Sequence, residues 1–173
     1  MAGPEPSSPE TDVAIDISIE CVGWSAVVKD PDECCRSAAR SALAVATALP
    51  DLPALSVLLG DDEAIAALNS QFRGKAGPTN VLSFPAGDAY PDGVVMLGDI
   101  AVARETVERE AASAGISVAD HLSHMIVHGT LHLLGFDHQS DAQAEEMESL
   151  EVKVLSGMGI ANPYAEPGAE GVS

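Results

Sequence analysis

Polar and apolar residues alternate over residues 13–20, in the order VAIDISIE, and this alternation is typical of a half-buried β-strand. Short apolar segments predict three more strands, the first of the three being residues 54–59. The next, residues 80–84, is expected to stop at Pro85, and the last, residues 94–102, is interrupted by Gly98 and Asp99.

Five segments are predicted to be α-helices, the first of them rich in alanine. Acidic residues at the start of the second helix and Ser117 ahead of the fourth are favourable at helix N-termini. With no repeat and no linker, the pattern predicts one α+β domain, residues 13–164, in which about five helices surround a small mixed β-sheet of about four strands. The helices are predicted at residues 32–48, 61–69, 103–114, 118–134 and 141–156.

The two ends of the chain differ from this domain. Residues 1–12 are rich in proline, serine and acidic side chains and lack the basic and apolar regions of a signal peptide, so we expect a disordered tail. Residues 165–173 are expected to form a flexible C-terminal tail.

The cysteines and the apolar segments indicate a cytoplasmic protein. Cys21, Cys34 and Cys35 are odd in number and lack the CxxC spacing, so we expect free thiols in a reducing compartment. No apolar segment approaches the roughly 20 residues that a membrane helix needs, and we expect no membrane partner.

All five histidines lie within residues 121–138, and four of them form a polar stripe on the predicted helix 118–134. The rest of this helix is apolar almost all round, which is typical of a buried helix. Because unpaired polar groups are costly to bury, the histidines should face a cleft, a metal ion or each other. The stripe consists of His121, His124, His128 and His132, of which His121, near the helix start, is expected to be exposed.

Three of the histidines have the spacing of a metal site. His128 and His132 are four residues apart, so on a helix their rings lie on one face, one turn apart. Gly135 suits the left-handed residue that ends a helix, and His138 can then return towards the same point. Three imidazoles that leave a fourth position for water form an open zinc site, so we predict one Zn²⁺ ion held by these three residues.

The order of these residues also limits the chemistry. Metzincin proteases bind zinc through HExxHxxGxxH, but this chain has Gly129 in place of the catalytic glutamate, which disfavours peptide cleavage while leaving metal-assisted hydrolysis open. One alternative is a metallohydrolase of another class. Another is a structural zinc, for which Asp137 or His124 would supply a fourth protein ligand. His124 can equally be a hydrogen-bonded core histidine or a residue that orients a ligand.

A glycine-rich loop is predicted over residues 72–78, and it holds two of the eight basic residues, Arg73 and Lys75. In a chain of net charge -19, two cations beside glycines indicate a phosphate contact, since Arg can donate to two oxygens and Lys adds a point charge. They can also be ordinary solvated loop charges. The net charge argues against a general polyanion binder, so any nucleic-acid contact must come from a local basic spot.

These motifs together resemble the YbeY family of bacterial endoribonucleases, also called rRNA maturation factors. Residues 128–138 match the family pattern HGxLHLxGxDH without a gap. Residues 69–73 match N-x-x-[FY]-R, and residues 78–85 match PT[DN]VLSFP. The likeness covers nearly the whole domain, residues 13–164, with a mild departure at Phe136, where tyrosine is frequent.

Two further stretches carry the resemblance. An LGDI segment is matched at residues 97–100, and the last predicted helix is similar to the family's at Glu145, Met147 and Glu151. The resemblance implies a zinc-dependent endoribonuclease, specific for single strands, in maturation of the small-subunit rRNA 3′ end and in ribosome quality control. It implies three metal ligands, His128, His132 and His138. It also implies that Arg73 is the functionally important arginine.

The expected mechanism pairs this zinc with Arg73, which would stabilise the charge that develops on the phosphate. Asp137, Asp99 and His124 are candidates for the general base, and Asp99 can instead orient a histidine ligand. Water and the ribose 2′-hydroxyl are both possible attacking groups. Because the chain is acidic, we expect a ribosomal protein or an assembly GTPase to help it reach single-stranded rRNA on the small subunit. A non-catalytic ribosome-assembly factor with a structural zinc is the other alternative.

Overall fold

The structure is a computed structural model of the chain. It describes residues 14–46, 52–74, 77, 79–89, 94–137 and 139–164. The predicted tails, residues 1–12 and 165–173, therefore lie outside the described residues, as do Lys75 and His138.

Four strands and six helices occur in the described part of the chain, which confirms the predicted α+β class. They are β1 (Ala14–Ile19), α1 (Gly23–Val27), α2 (Pro31–Leu43), β2 (Leu52–Gly60), α3 (Asp62–Arg73), β3 (Val81–Ala89), β4 (Val94–Ala103), α4 (Arg104–Ala114), α5 (Val118–Leu133) and α6 (Asp141–Gly157).

The strands form one mixed sheet in the order β1-β2-β4-β3. β1, β2 and β4 are parallel, and β3 pairs with β4 in the antiparallel sense, which makes β3 an edge strand. The predicted interruption at Gly98 is a β-bulge, because Ala54 pairs with Met96 but Leu55 pairs with Gly98. A small mixed sheet is therefore confirmed.

The two faces of the sheet carry different cores. Alternate residues such as Val57 and Ile100 belong to the main core, which they form with α2, α5 and α6. Their neighbours Leu58 and Ala101 belong to a smaller cluster that includes Ile65 of α3. The histidine helix α5 and the helix α3 thus pack on opposite faces.

Three local predictions were wrong in instructive ways. Pro85 does not stop its strand, since β3 lies at the edge of the sheet, where proline is tolerated, and the register with β4 shifts directly after it. Helix α3 continues to Arg73, so Phe72 and Arg73 are helical. The turn begins at Gly74 and not at residue 72, where the loop was predicted to start. Helix α2 ends at Leu43 rather than at residue 48, because the next amides make the tighter bonds of a final 3₁₀ turn.

The short helix α1 was not predicted. It buries Trp24 completely, and the indole Nε1–H donates to the carbonyl of Gly60 at 2.9 Å. The three cysteines are free thiols, as predicted. Among the described helices, none combines the length and the apolar character that crossing a bilayer requires.

Candidate metal centre

Helix α5 places the histidines, and both its ends agree with the sequence prediction. Ser117 caps its start by accepting from the backbone N–H of Asp120 at 3.0 Å. Its end is a Schellman turn, in which Gly135 has a left-handed φ of 104° and the N–H of Phe136 donates to the Leu131 carbonyl at 3.0 Å. The helix is buried on most of its surface, so the histidine stripe lies in a packed environment.

His128 and His132 lie next to each other on one face of α5, as their spacing predicts. Their ring centroids are 4.7 Å apart, with an edge-to-face angle of 77°. Both side chains are only partly buried. Within the described residues no group of three metal-binding side chains occurs, and the third predicted ligand, His138, lies outside them.

A buried carboxylate lies against this pair of histidines. Glu151 of α6 is fully buried, and each of its oxygens accepts a hydrogen bond from an imidazole of α5. The distances are 2.5 Å from Nδ1 of His128 to Oε2 and 2.9 Å from Nε2 of His124 to Oε1. Since an ionised carboxylate only accepts, His128 carries a proton on Nδ1 and His124 carries one on Nε2.

Tyr164 completes the surroundings of Glu151, since its hydroxyl also donates to Oε1. Burial alone would raise the pKa of Glu151, but the hydrogen bonds from His124, His128 and Tyr164 outweigh it and lower the pKa to about 2. Burial, and then the bond to Glu151, raise the pKa of Tyr164. Glu151 is therefore a stable buried anion at neutral pH.

His124 is a buried member of this network. Its Nε2 is engaged with Glu151, and its Nδ1 is buried without a hydrogen-bond partner among the described residues. This environment agrees with the orienting role that the sequence left open, while its role as a general base stays a prediction.

His121 was expected to be exposed, and that expectation was wrong. Its side chain is 12% exposed, and its Nε2 lies 2.8 Å from Oε1 of Glu110 on α4. The same Glu110 oxygen accepts from Asn80 at 3.0 Å. The first histidine of the stripe therefore ties α5 to α4 instead of facing solvent.

Arg73 is the last residue of α3 and is exposed. Its Nη2 donates to the carbonyl of Ser83 on β3, and its guanidinium lies 5.4 Å from the ring centroid of Phe84. It forms no ion pair with any described residue. Because β3 also packs against α5, this strand lies between Arg73 and the histidine helix.

The two predicted carboxylates have different positions. Asp137 is half-buried in the turn after α5, next to His138 in sequence. Asp99 is exposed on β4 and accepts from the hydroxyl of Ser56. The carboxylate that orients a histidine is thus Glu151 and not Asp99.

Gly129 is buried where α5 crosses β4. A Cβ atom at this position would lie 3.0 Å from Cγ2 of Ile100, so the Ile100 side chain would have to shift to admit any larger residue. Glycine at the position of the metzincin glutamate therefore suits the close packing of the helix on the sheet. This packing disfavours a peptidase base here.

Near Arg73, an apolar cavity of about 370 Å³ lies between α3 and the open face of the sheet. Phe72 and Phe84 line it and touch edge to face, with centroids 5.7 Å apart. Phe72 is 60% exposed, so this side of the sheet is open to solvent. It contrasts with the histidine side, where the polar groups are enclosed.

Comparison with known proteins identifies the family. The sequence model of endoribonuclease YbeY matches residues 25–159. The chain belongs to the YbeY family. Endoribonuclease YbeY of Azorhizobium caulinodans is 51% identical over 160 residues, which cover 91% of this chain and 99% of that protein. The YbeY protein of Maricaulis maris is 46% identical, with 87% of this chain and 91% of that protein covered.

A solved structure supports the same fold. The solution structure of a protein from Thermotoga maritima matches with a TM-score of 0.51 and 26% identity, covering 89% of this chain and 98% of that one. The resemblance to the YbeY family that the histidine, arginine and LGDI motifs carried is thereby confirmed.

Sequence reasoning missed the roles of Glu151 and Tyr164. A signal for Glu151 was present, because it lies in the middle of the apolar stripe of α6, whose other buried members are Met147, Val154 and Leu155. An acid at such a position needs a buried partner. No comparable signal exists for Tyr164, which lies beyond the last helix.

Proposed function

We propose that this chain is a zinc-dependent endoribonuclease that holds one Zn²⁺ with His128, His132 and His138 and cleaves single-stranded RNA. One observation carries the proposal: Glu151 accepts from Nδ1 of His128 at 2.5 Å. Metal-binding histidines commonly donate their second ring N–H to a carboxylate in this way. Neutral His128 then has its lone pair on Nε2, the nitrogen that would bind the metal.

The donor set fits zinc. Two imidazoles with centroids 4.7 Å apart and a third from the following turn supply nitrogen ligands, which zinc accepts together with water. When bound, the ion supplies Lewis-acid chemistry, polarising a phosphoryl oxygen or making water more acidic. Imidazole also suits nickel and iron, so the metal in the cell is part of the proposal.

Arg73 is proposed to bind the phosphate of the substrate around the sheet edge formed by β3, the strand that lies between Arg73 and the histidine helix. Its guanidinium is exposed, forms no ion pair with the described residues, and is held at one edge by the carbonyl of Ser83. It can therefore donate its remaining N–H groups to two phosphate oxygens and stabilise negative charge that develops there.

Asp137 is our candidate for the group that accepts the proton of the attacking hydroxyl or water. It is half-buried and adjacent in sequence to His138. His124 is a weaker candidate, since it is buried and engaged with Glu151. Asp99, on β4, is engaged with Ser56.

The relatives are named endoribonuclease YbeY, and this supports RNA as the substrate. We propose that the substrate is ribosomal RNA of the small subunit, cut during maturation of its 3′ end and in ribosome quality control in the cytoplasm. The net charge of -19 opposes unaided RNA binding, so a ribosomal protein or an assembly GTPase is proposed to bring the enzyme to its substrate.

The experiment is cleavage of a labelled single-stranded RNA by the purified protein, before and after removal of metal by a chelator. We expect cleavage to stop on chelation and to return with added Zn²⁺, while duplex RNA and casein stay intact. Cleavage unchanged by complete metal removal would reject the metal mechanism. Cleavage of casein would place the enzyme in another class of metallohydrolase.

The non-catalytic alternative needs its own comparison. If the zinc only stabilises the fold of an assembly factor, purified protein will not cut RNA, and a folded His132→Ala variant will still restore rRNA processing in cells. The enzymatic proposal predicts the opposite in both assays.

A further inference from the structure

The end of α6 turns the chain back towards the histidine site. Gly159 has a left-handed φ of 82°, and the N–H of Ile160 donates to the Leu155 carbonyl at 2.8 Å. This is a second Schellman turn, and it reverses the chain direction after the helix. The Asn162 side chain then accepts from the backbone N–H of Tyr164 at 2.8 Å, which fixes the backbone of Tyr164.

Tyr164 returns from this turn to contact the buried network. Its hydroxyl donates to Oε1 of Glu151, and its ring packs edge to face on His124, with centroids 5.6 Å apart at 86°. The side of the residue that is not in contact remains in solvent, since Tyr164 is 42% exposed. A residue after the last helix thus reaches a carboxylate that is otherwise sealed from water.

These contacts restrict the rotation of the carboxylate. Oε1 of Glu151 accepts from both Tyr164 and His124, so the carboxylate plane has little freedom to rotate. Its second oxygen is thereby held 2.5 Å from Nδ1 of His128. The position of that oxygen decides which nitrogen of His128 carries the proton and how its ring is oriented.

We propose that Tyr164 is a positioning residue of the metal site, which acts through Glu151 to hold His128 with its proton on Nδ1 and its lone pair on Nε2. This inference rests on the proposed function, since it assumes that His128 binds the metal. Tyr164 lies beyond residue 159, where the match to the family model ends, so the match itself assigns it no role.

The test compares Tyr164→Phe with the unchanged protein and with Ser156→Ala, which removes an exposed hydroxyl at the end of the same helix. Zinc affinity is measured by competition with a chromogenic chelator. The His128 tautomer is read from ¹⁵N shifts of the metal-free protein, at a pH high enough that these shifts no longer change with pH. Fluorescence of the buried Trp24 shows that each variant is folded.

We expect Tyr164→Phe to weaken zinc binding about three- to tenfold, less than the loss of a direct ligand partner would, and to raise the fraction of His128 protonated on Nε2. Ser156→Ala should change neither quantity. Zinc affinity and tautomer ratio equal to those of the unchanged protein would overturn the inference while leaving the proposed function intact. If the unchanged protein bound no zinc, the proposed function would fail, and an unaltered tautomer ratio in Tyr164→Phe would separately overturn the positioning role.

Discussion

The histidine cluster on α5 and the Arg73 end of α3 lie on opposite faces of one small sheet. They differ in how far their polar groups are enclosed by hydrogen bonds to other buried groups. Around His128, a fully buried carboxylate and two further hydrogen-bond donors form a closed network. Arg73 and Phe72 are exposed beside an open cavity, and Arg73 is anchored by a backbone carbonyl.

This difference fits the two tasks that we propose for these regions. A metal ligand must be held in one tautomer and orientation before the ion arrives, and a buried network does this. A group that binds a large, charged substrate must stay accessible, and an exposed guanidinium does that. Substitutions in the closed region should therefore change metal binding and stability, and substitutions in the open region should change turnover.

The largest effect is expected for His132→Ala. If His132 is one of three imidazole ligands, as proposed, its removal should abolish stoichiometric zinc binding and lower RNA cleavage by at least about 10³-fold, because the proposed mechanism depends on the metal. Metal analysis and the cleavage assay measure both. A variant that still cleaved RNA at the original rate would remove His132 from the metal site.

Gly129→Glu should destabilise the protein instead of creating a peptidase. The new side chain would enter the contact with Ile100, where even a Cβ atom lies at 3.0 Å, and would bury a charge, at a cost on the order of 4 kcal/mol or more. Gly157→Glu is the matched control, since Gly157 has open space around it. A stable Gly129→Glu variant in urea unfolding would contradict the packing account.

Arg73→Ala should lower turnover about 10²-fold with zinc content unchanged, since it removes charge stabilisation from the open region only. Arg40→Ala is the control, because Arg40 is an exposed arginine on α2. Steady-state kinetics and metal analysis on the same samples show whether Arg73 acts in turnover or in metal binding. Parallel loss of zinc in Arg73→Ala would mean that the arginine supports the closed region.

The fall in the free energy of unfolding at low pH should depend on Glu151. Its pKa is 4.5 in the unfolded chain and about 2 in the folded one, so between these values the unfolded chain binds more protons and stability rises with pH. The contribution, on the order of 3 kcal/mol, is complete above pH 4.5 and is lost as the pH falls through about 2. The free energy of unfolding of Glu151→Gln should lack this rise with pH. Glu146→Gln, a substitution at an exposed position, should retain it.

The closed region was the easier one to predict from sequence. The i, i+4 spacing of His128 and His132, Ser117 at the start and Gly135 at the end are local features, and the structure places all of them as expected. The partner of His128 is 23 residues away on another helix, and no local pattern specifies which face of α6 will meet α5.

The errors lie where the tertiary context overrides a local rule. Pro85 normally stops a strand, but the position of β3 at the sheet edge was not visible in the sequence. Glycines around Arg73 suggested a loop, yet Gly74 simply ends a helix one turn longer than predicted. The contact of Tyr164 with Glu151 could not be predicted, because it depends on the chain reversals at Gly135 and Gly159 and on the packing of α6 against α5.

X-ray absorption of the zinc-loaded protein shows whether three imidazoles hold one metal ion and leave its fourth position open. We expect one zinc per chain with three imidazole nitrogens at about 2.0–2.1 Å and one further light ligand that exchanges with solvent. A site with sulfur ligands, a shell of four protein ligands, or a spectrum unchanged in His132→Ala would contradict it.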